Sequence, residues 1–413
     1  MRMRIKDIAT KVGSGITPKG GATVYQDSGI PLFRSQNVTN DGFLLDDIVY
    51  ISEDIHNSMA GSRLKPNDVL LNITGASIGR CYYLPQDFRE GNVNQHVCII
   101  RLKKNVIPAF LYFNLISATG QKMIKSCQTG ANREGLTKEE LCNFAFEIPT
   151  IELQSKIVEY LNDKTYKINS NISLLSSNRD AYLRLKKSII NHAVTKGLNP
   201  EVKMKASGVD WIGAIPEHWE VKRLKDICNY VSRGSTPDYV ENGLYKVMNQ
   251  ATFSKGWIDE SNLRYTRTYN KNSQIKKGDL LMASTGGGVL GKILYFDYLD
   301  DNFFADSHVT IMRNSKGANS MKYLYYHFFL RFEEINATMV KGSTNQTELQ
   351  RNYLLSHEVA IPPLSEQQAI AAYLDEKCSK IDKIVANLEK QISLYTDLKR
   401  SLIDEVITGK RAV

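Results

Sequence analysis

IPTIELQSKIVEYLNDKTYKI, residues 148–168, returns as IPPLSEQQAIAAYLDEKCSKI, residues 361–381, 213 positions later and without a gap. The same register continues through Tyr182 and Tyr395, Leu185-Lys186 and Leu398-Lys399, Ser188 and Ser401, and Thr195 and Thr408. A period this long belongs to a duplicated domain with its following helix, not to a solenoid of short repeats. In both copies the apolar residues step by three or four. The first runs Ile157, Leu161, Ile168, Ile172, Leu175, Tyr182, Leu185, Ile189, Ala193; the second runs Ile370, Leu374, Cys378, Ile381, Val385, Leu388, Ile392, Tyr395, Leu398, Leu402, Val406. That is a coiled-coil seam sustained over several heptads. Pro149 and the Pro362-Pro363 pair open the two helical stretches, and Gly197 and Gly409 lie near their ends, as helix start and stop chemistry requires. Forty-odd helical residues reach roughly 60–70 Å at about 1.5 Å per residue. One such helix alone would leave its seam in water; two in one chain can pair, and chain order makes an antiparallel pair the simpler solution.

Outward from the helices, the globular halves repeat as well. IKDIATKVGSGITP (5–18) matches LKDICNYVSRGSTP (224–237), LKPNDVLLNITGASIGR (64–80) matches IKKGDLLMASTGGGVLGK (275–292), and NQHVCIIR (94–101) matches DSHVTIMR (306–313). Here the offset drifts, whereas in the helices it is constant; loops that vary on a rigid scaffold suit a reading surface. Short β-type runs alternate with Gly-, Asn- and Asp-rich turns, and a helix is expected over 108–124 with its counterpart over 321–335. The expected fold class is α+β: two similar globular domains separated by two long antiparallel coiled-coil helices, with an internal pseudo-two-fold repeat. The boundaries fall at 1–149 for the first domain, 150–198 for the first spacer helix, 199–218 for a linker, 219–361 for the second domain and 362–411 for the second spacer helix. Trp211, Ile212, Ile215 and Trp219 make the linker region too apolar for a loose tether, so it is expected to pack on the second domain.

The chain has 413 residues, room for two or three domains each with a core of its own. Its 42% hydrophobic and 23% charged residues are ordinary for a soluble protein, and a net charge of +9 favours a polyanionic partner without proving one. The six cysteines form no CxxC pair, which argues against a metal site or a disulfide framework. MRMRIKDIAT at the start lacks the apolar stretch of a signal peptide, and YLYYHFFL (323–330) is far too short to span a bilayer. A cytoplasmic protein is the expectation.

The string TGGGVLGK (285–292) satisfies G-x-G-x-x-G and nearly completes a phosphate-binding loop, but Ile293 stands where a Ser or Thr must hold magnesium. Its counterpart, TGASIGR (74–80), keeps a Thr-Gly pair, one later Gly and a base. A tight turn bringing Thr74 and Arg80, or Thr285 and Lys292, near a phosphate backbone is the better reading than nucleotide binding. His96 and His308 occupy equivalent places; nothing identifies a nucleophile or acid partner for either, so a structural or DNA-contact role is expected, with Asn94 beside the first. The copies diverge where FRSQN (33–37) faces VMNQA (247–251) and TGANREGL (129–136) faces KGSTNQTEL (341–349). Arg34, Gln36, Asn37, Asn132 and Arg133 in the first copy, and Asn249, Gln250, Thr344, Asn345 and Gln346 in the second, include types that can make bidentate contacts to guanine or adenine edges. Solvation alone explains any one polar loop residue; the loops as sets favour DNA. No methyltransferase motif, zincin motif, deaminase signature or nuclease carboxylate cluster is present, so no catalytic residue, metal or cofactor is expected.

Taken together, SGVDWIGAIPEHWEVKRL (207–224), the paired IPxxxxQ…I…YL helix starts and the repeated Gly-x-Thr-Pro turn (Gly15 to Pro18; Gly234 to Pro237, with Thr17 and Thr236 as further DNA-contact candidates) resemble the specificity (S) subunit of type I restriction–modification systems. The resemblance covers the whole chain; one departure is that Met1 leads almost directly into the first domain, with no IPEHWE-like lead-in. It implies two target-recognition domains, each reading one half of a bipartite, asymmetric double-stranded DNA site, and helices that set the unread gap. It also implies docking of two methyltransferase (M) subunits, later joined by restriction (R) subunits, with adenine methylation and ATP-driven cleavage belonging to those partners. The competing readings are a two-headed DNA-binding adaptor for another defence or modification enzyme, an enzyme with unrecognised catalytic residues, and a coiled-coil interaction protein with no nucleic-acid role.

Overall fold

In a computed structural model the chain is described over residues 1–128, 135–286, 288–341 and 347–413. It divides into two compact units, Met1–Ser176 with Glu389–Val413, and Ser177–Leu388. The first unit is built on strand Val69–Asn72, in which every residue is buried. Such a run is buried on both faces, and its period-two alternation sorts the side chains. Val69 and Leu71 join the core containing Phe110, Leu111 and Ile100, while Leu70 joins a separate cluster with Val93, Val97 and Ile99. The strand is central in an antiparallel sheet ordered Ala9–Ser14, Val97–Leu102, Val69–Asn72, Cys81–Tyr83. A smaller sheet places Ile30–Phe33 between Val49–Ile51 and, in parallel, Asn92–Val93.

The second unit repeats this plan. Its antiparallel sheet runs Tyr230–Arg233, Val309–Arg313, Leu280–Ala283, Ile293–Tyr295. Again the buried central strand alternates, with Leu280 and Met282 in one core and Leu281 and Ala283 in the other. Tyr245–Met248 pairs in parallel with Phe303–Ala305, as Ile30–Phe33 does with Asn92–Val93. The linker residues Ile212, Ile215 and Trp219 belong to this unit's main core, with Trp211 packed against it.

Where one helix was expected over 108–124, there are two, Pro108–Ile116 and Ala118–Ser126. Ser117 breaks the run: its backbone is extended (φ −60°, ψ 161°) and its hydroxyl accepts from the Gly120 amide at 3.1 Å, a capped new start. A Cβ at Gly120 would lie 2.1 Å from the Asn114 carbonyl oxygen, so only glycine permits this close join. The stretch 321–335 is likewise divided, into Met321–Phe329 and Phe332–Thr338.

The long helices are Ile151–Lys196 (46 residues) and Leu364–Ile407 (44 residues). Within the first unit Ile157, Leu161 and Ile168 share a core with Leu402, Ile403 and Val406, and Lys399 Nζ donates to Asn169 Oδ1 at 2.9 Å. Within the second, Ile190, Ala193 and Val194 share a core with Ile370, Leu374 and Cys378, and Lys186 Nζ donates to both Asp382 carboxylate oxygens at 2.7 Å. In each unit the residue number rises along one helix as it falls along the other, so the pairing is antiparallel. The equivalent seam residues Leu185 and Leu398 are 47% and 51% exposed, so the apolar stripe extends beyond the surface that covers it. Among the described residues no helix is long and apolar enough to cross a membrane.

Candidate nucleic-acid interface

In each unit the Gly-x-Thr-Pro turn, the turn after the central strand and the turn entering the next sheet strand converge. A Cβ at Gly15 would lie 1.9 Å from the Val93 carbonyl oxygen, and one at Gly234 would lie 2.0 Å from that of Ala305. Only glycine can bring the turn this close to the neighbouring backbone. The approach is fixed by Gly15 N donating to Val97 O at 3.1 Å, and Gly234 N to Val309 O at 3.0 Å.

The threonine of the same turn then reaches the loop beyond. Thr17 Oγ1 donates to Gln95 Oε1, the Gln95 amide meets His96 Nε2 at 2.9 Å, and His96 Nδ1 lies 2.6 Å from Thr74 Oγ1. In the second unit Thr236 and Ser307 hydroxyls pair at 2.7 Å, and His308 Nδ1 lies 2.6 Å from Thr285 Oγ1. The two Thr–His pairs are therefore the same device in the same place. Beneath them Asn94 Oδ1 accepts from His96 N at 3.1 Å, and Asp306 Oδ1 accepts from His308 N at 2.8 Å. Burial pushes the Asp306 carboxyl upward, and Tyr239, which donates to it at 3.3 Å, is pushed up to about 12 by its own burial and that carboxylate.

The turns carrying Thr74 and Thr285 are hairpin connections. Gly79 N donates to Asn72 O at 2.9 Å and Asn72 N to Arg80 O at 2.8 Å; Gly291 N donates to Ala283 O and Ala283 N to Lys292 O, both at 2.8 Å. Each turn leads into an antiparallel strand, not a helix, which is why the glycine-rich string lacks the frame of a nucleotide-binding loop. Gly75 and Gly286 (φ +68° and +92°), and Gly79 and Gly291 (φ +84° and +85°), supply the left-handed corners. Arg80 is exposed, and Lys292 lies half-buried 5.7 Å from the Phe332 ring.

The reading loops align differently from the sequence. Asn94 N donates to Phe33 O, and Asp306 N donates to Met248 O. Phe33 therefore corresponds to Met248, and Arg34 to Asn249, one position away from the match of FRSQN to VMNQA. Arg34 folds back, donating to Asp47 O at 2.7 Å and pairing with its carboxylate at 3.3 Å. Gln36 is exposed and donates to Asp47. Asn37 is wholly buried; its Oδ1 accepts from Arg34 N and its Nδ2 donates to Leu44 O, both at 2.9 Å, so it holds the loop together. Asn249 caps the helix Gln250–Phe253 by accepting from Ala251 N and Thr252 N at 2.8 and 3.1 Å. Gln250 Oε1 is buried with no hydrogen-bond partner among the described residues. Asn132, Arg133, Thr344, Asn345 and Gln346 lie outside the described residues. Gly135 and Glu348, just beyond those stretches, bridge Thr74 and Thr285, so the same place in both units flanks the Thr–His pair.

Sequence reasoning missed Gln95 and Ser307, which tie the turn to the histidine loop, and Tyr239, which closes over Asp306. Their contacts run 67 to 78 residues along the chain and leave no periodic trace. Among the described residues no group of three or more His, Cys, Asp or Glu could hold a metal ion.

The family model for the type I restriction modification DNA specificity domain matches residues 1–174 and again 216–394. The chain belongs to this family of type I restriction–modification specificity subunits. The specificity subunit of EcoKI from Escherichia coli K12 is 20% identical over 414 aligned residues, covering 96% of this chain and 86% of the relative. That of MjaVIII from Methanocaldococcus jannaschii is 22% identical, covering 83% and 79% respectively. MjaX, from the same archaeon, matches over 206 residues at 26% identity, about half of each chain (48% of this one, 47% of that one). A solved chain from a study of assembly and conformational transition in a type I R-M system shares the fold with a TM-score of 0.71. It is 14% identical and covers 98% of this chain and 97% of its own.

Proposed function

We propose that this chain is the sequence-specific DNA-recognition subunit of a type I restriction–modification complex, with each globular domain reading one half of a bipartite, asymmetric site. The domains are 1–149 and 219–361, the spacer helices 150–198 and 362–411, and the linker 199–218. The observation that carries the reading is duplication with divergence. Both units hold the same sheet, the same Gly-x-Thr-Pro approach and the same Thr–His pair, yet Arg34 stands where the other has Asn249 and Asn94 where the other has Asp306. Two scaffolds alike in frame and different in polar edge suit two different half-sites.

On this reading the paired helices set the unread gap, and their uncovered apolar positions, Leu185 and Leu398 among them, dock two methyltransferase subunits. Restriction subunits join afterwards. Methylation and ATP-driven cleavage belong to these partners, and this subunit works in the cytoplasm beside the DNA, without catalytic residues of its own. The net charge of +9 supports DNA as the partner and makes binding salt-sensitive.

The test is to co-express the chain with its methyltransferase and map modified adenines across the host genome. A split motif with a constant gap, absent without this chain, is the expected result. No new methylation from a partner shown to be folded and bound moves the reading to a DNA-binding adaptor serving another enzyme.

A further inference from the structure

The Thr–His pair is common to both units, while several side chains around it are not. In the first unit one polarity fits the contacts as the side chains are placed. Gln95 Oε1 accepts from Thr17, so the Gln95 amide nitrogen donates to His96 Nε2. That nitrogen must then be the unprotonated one, and the imidazole proton lies on Nδ1, which donates to Thr74 Oγ1 at 2.6 Å. With its oxygen already accepting, the Thr74 hydroxyl keeps its own proton to donate, and it has no other hydrogen-bond partner among the described residues. Thr74 itself is half-buried, and at the next residue, Gly75, a Cβ would meet nothing within 4 Å. The second unit repeats the pair with Thr285 and His308, and a cationic side chain, Arg80 or Lys292, closes both turns.

We propose that these two threonine hydroxyls, each polarised by its histidine, donate to phosphate oxygens of the DNA backbone and give both units the same sequence-independent anchor; this rests on the DNA-recognition reading above. The argument is one of matched and unmatched positions. If the half-sites differ, a group that reads bases has no reason to be the same in both units, whereas the backbone offers both units identical acceptors. Thr–His, Gly-x-Thr-Pro and the turn's base are shared. Gln95 against Ser307, Asn94 against Asp306 and Arg34 against Asn249 are not. A lone oriented donor also suits a phosphate oxygen, which only accepts, better than a base edge, which needs a paired donor–acceptor pattern to be distinguished.

The test uses the full chain bound to its methyltransferase, with T74V, T74S and R80Q, and fluorescence binding to the mapped duplex and to a duplex with the first half-site scrambled. T74V is expected to weaken both by the same factor, about three- to ten-fold for one hydrogen bond, leaving the methylated motif and the salt slope unchanged. T74S, which keeps the hydroxyl, restores binding and so excludes a folding defect. R80Q reduces the salt slope by about one. A T74V complex that methylates a changed sequence in one half-site overturns the proposal in favour of base reading. One that binds both duplexes like the wild type overturns it in favour of a purely internal hydrogen bond. A wild-type complex that methylates no split site refutes the DNA-recognition reading itself, and the anchor with it.

Discussion

Asp68 and Asp279 have no solvent exposure, and each is gripped by an arginine through both carboxylate oxygens: Arg101 at 2.7 Å twice, Arg313 at 2.6 Å twice. Each also accepts a backbone amide at 2.7 Å, from Lys65 and Lys276, which closes the turn before the central strand. Removing the aspartate charge leaves its half-buried arginine unmatched. Asp279→Asn should therefore cost roughly 3–5 kcal/mol, read as a lowered urea midpoint, and a loss under about 1 kcal/mol would show the pair to be dispensable. A second buried device exists in one unit alone. His327 and His357 meet through their Nε2 atoms at 3.0 Å, with Trp211 stacked on His357 at 5.0 Å and Arg331 4.0 Å over the Trp211 ring. Burial first, then Arg331, lowers His357 to about 4; burial, then His357 and Arg331, lowers His327 too. The unfolded chain takes up these protons near pH 6.5, well before the folded one does. Stability is thus complete above about pH 6.5 and is lost as pH falls toward 4, by about 3 kcal/mol for His357 alone. The first unit has Asn114 and Phe144 in these places, so H327N with H357F should flatten the loss in a pH series of thermal melts.

The start of each long helix explains why its motif carries a glutamine. Gln154 Oε1 accepts from Ile107 N at 2.9 Å while its amide donates to Asn105 O and Pro149 O; Gln367 accepts from Ser320 N at 2.8 Å and donates to Asn319 Oδ1 and Pro362 O. Both are almost fully buried, and each locks the opening turn of a long helix to the entry of a domain helix. Gln367→Ala strands two backbone groups, Ser320 N and Pro362 O, and the Asn319 side-chain oxygen, so a destabilisation of about 1–3 kcal/mol is expected, against less than ~0.5 if water replaces the amide; chemical denaturation distinguishes the two. The helix type of 108–124 and 321–335 was legible from apolar content, but their interruption was not. At Ser117 the break depends on a hydroxyl cap and on Gly120 fitting against Asn114, contacts that a periodicity count does not register.

For the molecule as a whole, the constant offset of 213 in the helices is what a spacer requires, since an insertion in one helix alone would unseat its seam from its partner. Deleting one heptad from both long helices preserves the seam and removes about 10 Å of helix at 1.5 Å per residue. The expected methylation map keeps both half-sites and changes the gap; changed half-sites with an unchanged gap would sink the spacer idea. Gln36 is the exposed side chain of 33–37, so Gln36→Ala should alter the first half-site only in the methylation map, because the Thr–His pair and the sheet beneath it are common to both units.

The duplication, the seam of both helices, the α+β class and the glycine-rich turns were all determined by the sequence itself. Repeats and periodicity are written along the chain, one residue after another. The tertiary structure alone decided which polar side chains are spent inside the protein and which stay exposed. Asn37 and Arg34 look alike as candidate readers, yet one is enclosed by its own loop and the other turns back to Asp47. It also moved the loop register by one residue, since that register is set by a backbone hydrogen bond from Asn94 or Asp306, about sixty residues away in sequence. Hydrogen bonds between distant segments depend on where the sheets bring those segments together, and no local pattern records that.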